Sequence, residues 1–314
     1  MVSAVRDLRQ SPSRRDPAVS WPEAHKEPSG LPPGMRVLFG LLLPLVAGCA
    51  SVPLQRAGSL SSYDHMAPQD GWFTRAQVSV SRDDILAAKT IRIVPTTFVA
   101  SALQIQLPDT QRRLVANAVD RSLCIGLSDR FQIVTGSQPA DLVVQASITS
   151  IVPTNEAAVV ASKALSVATS VATHAASVSV PVPSVRIPIG LGGLALEAEA
   201  RDGGGTQKAA MMWARGANAF IGQPRASPAG DAYDLASAFG DDFSKLLVTG
   251  ASPFKTMPSL PAMHRVGSMV GAAPKESACD AFGRGGVAGL AGAAIGLPPE
   301  WTDNGARTDT SSAR

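Results

Sequence analysis

Leu194–Arg215 reads LALEAEARDGGGTQKAAMMWAR. Leu194, Leu196, Ala198 and Ala200 alternate with Ala195, Glu197, Glu199 and Arg201. That period of two predicts a half-buried strand. Asp202-Gly203-Gly204-Gly205 reads as a hairpin turn, because glycine enters left-handed backbone without steric cost. Gln207–Arg215 then returns as the partner strand, carrying Met211 and Trp213. One face of this hairpin needs apolar cover. Glu197 and Glu199 lie on the other face and are read as solvated charges.

Upstream, Asp141–Val152 shows the same alternation, with Leu142, Val144, Ala146 and Ile148 on one side. Lys89–Phe98 is the first strand; Ile91 and Ile93 alternate with Arg92 until Pro95 stops the pattern. Phe131–Thr135 is a short strand. Between them a helix opens at Leu107-Pro108-Asp109, proline suiting the first turn. Ala116, Val119, Leu123 and Leu127 form its apolar stripe. A second amphipathic helix spans Asp231–Val248, with Leu235, Phe239, Phe243 and Leu246 on one face and Gly250 as its cap. The order predicts an α+β fold over residues 81–250: a small mixed β-sheet with two helices on one face.

Two stretches fit this plan less tightly. Asn155–Gly193 is an Ala/Val-rich insertion with small polar residues at helical spacing, followed by Pro181, Pro183 and Pro188. It reads either as a cover for the sheet or as an arm that touches a partner or a membrane, and it is expected to be separable from the fold. Residues 251–314 are rich in Pro, Gly and Ala and read as a low-order tail.

The N-terminal part carries an address. Met35–Cys49 reads MRVLFGLLLPLVAGC. A charge at Arg36, an apolar middle and small residues before a cysteine are the parts of a secretory signal. The run is too short for a membrane span, which needs about 20 apolar residues. Val46-Ala47-Gly48-Cys49 resembles a bacterial lipobox, which implies cleavage before Cys49 and acylation of its thiol and new amino group. Ala50 and Ser51 follow where an Asp would favour retention at the inner membrane, so the pattern implies the outer membrane. Residues 1–34 are expected to be an untranslated upstream extension, 35–48 the signal peptide, and 49–80 a lipidated tether.

Composition excludes some classes. The formal net charge is only +3 over 314 residues, and basic and acidic residues nearly balance beyond Gly48. No basic patch is interleaved with aromatics, so a nucleic-acid partner is not expected. Aromatics make up 5%, which argues against a base-stacking or carbohydrate site. Beyond Cys49 two cysteines remain, Cys124 and Cys279; in an oxidising periplasm they could pair, or stay as two free thiols.

Catalytic and metal chemistry has no foothold in the pattern. His65, His174 and His264 have no second ligand at metal spacing. Gly283-Arg284-Gly285-Gly286-Val287-Ala288 imitates a dinucleotide fingerprint, yet follows no predicted strand. Asp241-Asp242 reads as solvated charge on a helix. No catalytic residue, metal ligand or cofactor is expected.

Several stretches together resemble the DUF3313 family of bacterial lipoproteins of uncharacterised function. They are the lipobox, AGSLSSYDHM from Ala57, TIRIVPTTF from Thr90, ADLVVQASITSIVP from Ala140 and GGLALEAEARDGGGTQKAAM from Gly192. The resemblance covers Ala57–Val248. It implies a cell-envelope lipoprotein and brings no catalytic residues. The element order is also similar to small α/β domains of envelope assembly lipoproteins. The expected function is a non-enzymatic outer-membrane lipoprotein, facing the periplasm and binding or scaffolding an envelope partner. The alternative is an oligomeric membrane-associated subunit that aids export through its insertion; a hydrolase is the least favoured reading.

Overall fold

The computed structural model describes residues 51–136, 138–164, 186, 188–219, 224–255, 267–268, 271–303 and 305. They belong to one compact unit, Ala47–Arg314. Cys49, the signal segment 35–48, residues 1–34 and the middle of the insertion, 165–185, lie outside the described residues.

The predicted α+β architecture is the one observed. A sheet of seven strands takes the order β1-β2-β7-β6-β5-β3-β4. The strands are β1 Ala67–Pro68, β2 Thr74–Val80, β3 Thr90–Phe98, β4 Gln132–Ile133, β5 Leu142–Val152, β6 Gly193–Asp202 and β7 Gln207–Gly216. β3 runs parallel to β4 and β5, and the other neighbours are antiparallel. The helices are α1 Arg82–Ala87, α2 Ala100–Leu103, α3 Asp109–Leu127, α4 Gly230–Thr249, α5 Val287–Ile295 and α6 Pro299–Thr302. Residues 156–164 are also helical.

α3 and α4 pack on each other and cover the apolar sheet face. Trp213 of β7 meets Phe239 of α4 edge to face at 5.7 Å, and Phe239 stacks on Phe243 at 5.9 Å. Burying each such side chain contributes roughly 1.5–3 kcal/mol. The helices cross closely at Gly240, where a Cβ would stand 2.0 Å from the Ser122 hydroxyl. Gly250 ends α4 at φ 62°, the left-handed position expected of it.

The expected tether is not a tether. Thr74–Val80 is an interior strand, paired along its length with β7. Its inward residues are Thr74, Ala76 and Val78, all buried. The expected tail also differs. A 3-10 turn at Ser277–Phe282 and α6 pack onto α3, α5 packs on α6, and Cys279 is disulfide-bonded to Cys124 of α3. The insertion begins and ends inside the domain. Val159, Arg186 and Leu191 are buried, so the separable part is narrower than Asn155–Gly193.

Pro95 does not end β3. The strand continues to Phe98 across a register shift between Val94 and Thr97. Thr96, skipped by the ladder, donates its N–H to Asp120 of α3 at 3.0 Å and its hydroxyl at 2.6 Å. Burial lifts the Asp120 carboxyl from its ordinary 3.8 to about 6, against the lowering effect of the Thr96 bonds. The folded value lies above the unfolded one. Its contribution to stability is therefore full below about pH 4 and lost as pH rises through about 6. A shift of that size corresponds to roughly 3 kcal/mol. Asp120→Asn should remove this dependence. In urea melts the variant should gain about 2 kcal/mol on wild type between pH 4.5 and 7.5; parallel stability curves would contradict the assignment.

Candidate functional site

Two faces of the domain concentrate polar chemistry. The first is the outer face of the sheet, where the sequence AGSLSSY lies as a strap. Val52 is buried against Ala195 and Ala214, and Leu60 against Ala210 and Met212. Between these apolar pegs the strap turns its donors onto β6. Glu197 Oε1 accepts from the Ala57 N–H at 2.8 Å. Its Oε2 accepts from the Ser59 N–H at 3.0 Å, the Ser59 hydroxyl at 2.5 Å and the Tyr63 hydroxyl at 2.7 Å. Glu199 accepts from the Ser61 N–H at 2.7 Å and the Ser61 hydroxyl at 2.9 Å, with Arg201 beside it at 3.2 Å. Gln207 accepts from the Ser62 N–H at 3.1 Å and donates to the Ser62 carbonyl at 3.0 Å.

Glu197 and Glu199 are 1% and 3% exposed, so the reading as solvated charges is corrected. Burying a carboxylate is costly unless hydrogen bonds replace its water, and the strap supplies them. Ser59 and Ser61 repeat at a spacing of two, as do Glu197 and Glu199. That match of periods was the signal in the sequence. Tyr63 is raised above its ordinary value by burial first and by Glu197 second, and Arg56 stacks over its ring at 5.3 Å.

The profile of the family described as Protein of unknown function (DUF3313) matches residues 55–243. The chain belongs to DUF3313. The DUF3313 match opens within the strap and closes inside α4, so it takes in both the strap and β6, the two partners of this hydrogen-bonded clamp. No curated protein is significantly similar. Among solved structures, a PelC dodecamer from Paraburkholderia phytofirmans is similar at 10% identity, covering 56% of this chain and 97% of that chain, with a TM-score of 0.31. A variant PelC dodecamer from the same organism is similar at 12% identity over 54% of this chain and 95% of that chain, with a TM-score of 0.28.

The second face of the DUF3313 domain is a cavity of about 250 Å³ between α3, α4 and α5. Arg121, Ser122, Arg225, Tyr233, Asp234 and Leu290 line it. Arg121 pairs with Asp303 through bonds of 3.2 and 2.5 Å, and the Tyr233 hydroxyl donates to the same carboxylate at 2.5 Å. Burial raises Asp303, but Arg121 and Tyr233 outweigh it and hold the carboxyl below its ordinary value. Arg225 donates through Nε to Asp234 at 3.0 Å, while its buried Nη1 has no hydrogen-bond partner. Burial pushes Asp234 up to about 6 although a third of its side chain still meets solvent. Gly286 caps α5 at the rim, which is where the glycine-rich run falls; a 3-10 turn, not a strand, precedes it.

The other candidate residues are scattered. His65 sits beyond the strap with φ 59°, and His174 and His264 lie outside the described residues. Asp241 is exposed, but Asp242 accepts from the Trp213 indole at 2.8 Å and burial lifts it to about 6. The surface reading therefore fails for Asp242. Arg186 meets Asp231 through bonds of 2.6 and 2.8 Å, with the Gly192 N–H adding a third at 2.7 Å, and so fastens the insertion to α4. Among the described residues no group of three His, Cys, Asp or Glu could hold a metal ion. The arrangement directs its buried carboxylates to intramolecular bonds.

Proposed function

We propose that this chain is a lipid-anchored envelope protein, exported through its N-terminal signal and held at the outer membrane by Cys49. Its domain faces the periplasm and acts by binding or scaffolding another envelope component. The lipobox Val46-Ala47-Gly48-Cys49 carries the reading. The disulfide Cys124–Cys279 supports it independently, because such bonds persist in oxidising compartments such as the periplasm. No described helix is long and apolar enough to cross a membrane. The lipobox assigns attachment to acyl chains on Cys49. One chain anchors only marginally, whereas several on one cysteine hold firmly, at about 0.8 kcal/mol per buried methylene.

A scaffolding role is supported by how the buried charge holds the domain together. Glu197, Glu199, Asp231 and Asp303 are each committed to bonds within the domain. Cys49→Ser should abolish fatty-acid labelling and move the protein from the membrane to the soluble fraction or leave an uncleaved precursor. Unchanged labelling would contradict the anchor. Affinity capture of the lipidated protein from detergent-solubilised membranes identifies the bound component.

A further inference from the structure

The strap fixes where an anchor at Cys49 would hold the domain. Val52 is only three chain steps from Cys49, a reach of about 11 Å at ~3.6 Å per residue. Val52 is seated on Ala195 and Ala214, beside the Gly193 end of the sheet. At that end Gly193 pairs with Val152 and Gly216, and Arg215 pairs with Leu194 and Thr74.

Large apolar side chains gather at the same end. Trp72 and Phe73 immediately precede Thr74, and Trp72 is 97% exposed. Ile189 leads into Gly193 and is 69% exposed. Val160, on the helical turns that follow Val152, shares a shallow hollow with Ile295, and these two are 59% and 68% exposed. The opposite end is charged: beside the hairpin turn Lys208 bridges Asp84 at 3.0 Å and Asp202 at 3.4 Å. Single exposed hydrophobics are ordinary on a protein surface. A cluster at one end, led by a tryptophan and placed where the chain leaves toward Cys49, is the composition of a membrane-interface contact. Positive charge accompanies it. Arg215 lies 5.8 Å from the Phe73 ring, and Lys163 reaches the Ala294 carbonyl beside Ile295.

We propose that this end, with Trp72 foremost, rests on the lipid surface that takes the acyl chains of Cys49. The sheet then stands end-on, with the Asp202–Gln207 hairpin directed away from the bilayer. The proposal rests on the anchor reading above.

The test uses the full lipidated protein in vesicles of phosphatidylethanolamine and phosphatidylglycerol with brominated acyl chains, in a Trp301→Phe background. Trp213 is fully buried, so Trp72 is then the tryptophan in reach of lipid within the domain. Bromolipid should quench its emission at least twofold, and Trp72→Phe in the same background should remove that quenching. Absence of quenching in protein whose Cys49 carries lipid by mass would overturn the docking and leave the anchor standing. An unmodified Cys49 would overturn the anchor reading and the docking with it. Cross-links between positions 72 of two copies would assign the face to a second chain and overturn the proposal.

Discussion

Glu197→Ala should release the strap from the sheet. The substitution removes the acceptor for two backbone N–H groups, one serine hydroxyl and the Tyr63 hydroxyl. Hydrogen bonds to charged groups contribute about 1.5–3 kcal/mol each, though members of one network do not add. The strap can peel away and let water take up its donors, which limits the loss. We expect destabilisation of about 3 kcal/mol in urea, together with faster amide exchange over Ala57–Tyr63. Glu199→Ala, which loses two Ser61 bonds and a partly exposed contact with Arg201, should cost about half as much. Glu197→Gln keeps one acceptor oxygen and should fall between wild type and alanine. Unchanged exchange protection in the strap would contradict the clamp.

Removal of the disulfide should have a comparable or larger effect. Cys124 and Cys279 are 155 positions apart. In the chain-entropy account a loop of that size corresponds to roughly 5 kcal/mol, and measured values more often fall at about 2–4. The paired change Cys124→Ser with Cys279→Ser should therefore lower the melting temperature by about 10 °C. It should also loosen the C-terminal segment, exposing the amides of α5 and weakening the Arg121–Asp303 pair. Dithiothreitol should reproduce the loss in the wild-type protein and leave the double-serine protein unaffected. An unchanged urea midpoint on reduction would contradict a stabilising role.

The parts of this fold that read out of the sequence are those built on apolar periodicity. The hairpin of β6 and β7, the long β5 and the helices α3 and α4 each carry a regular apolar stripe, and their bounds follow from it, although the second face of the hairpin is buried as well. β2 escaped because its inward residues, Thr74, Ala76 and Val78, are small and the run is interleaved with polar ones. The strap escaped for a different reason: it is held by donors meeting Glu197 and Glu199, an order that leaves no hydrophobic period. The C-terminal segment is attached by a disulfide, a buried ion pair and hydrogen bonds such as that from Asn117 to the Phe282 carbonyl, all joining residues far apart in the chain. Local composition, rich in Pro, Gly and Ala, left the disulfide as one of two open readings and gave no sign of the ion pair. Asp120 and Asp242 were hidden in the same way, since a helix pattern does not reveal that Thr96 or Trp213 will meet them.

In the proposed function Cys49 joins the domain to a membrane, and the strap leads from it to the sheet. The most direct measurement is the mass of the N-terminal peptide of the protein extracted from membranes of the native host. The account predicts a peptide that begins at Cys49 and carries acyl chains on that residue. A peptide that runs through Ala47-Gly48 into an unmodified Cys49 would contradict it.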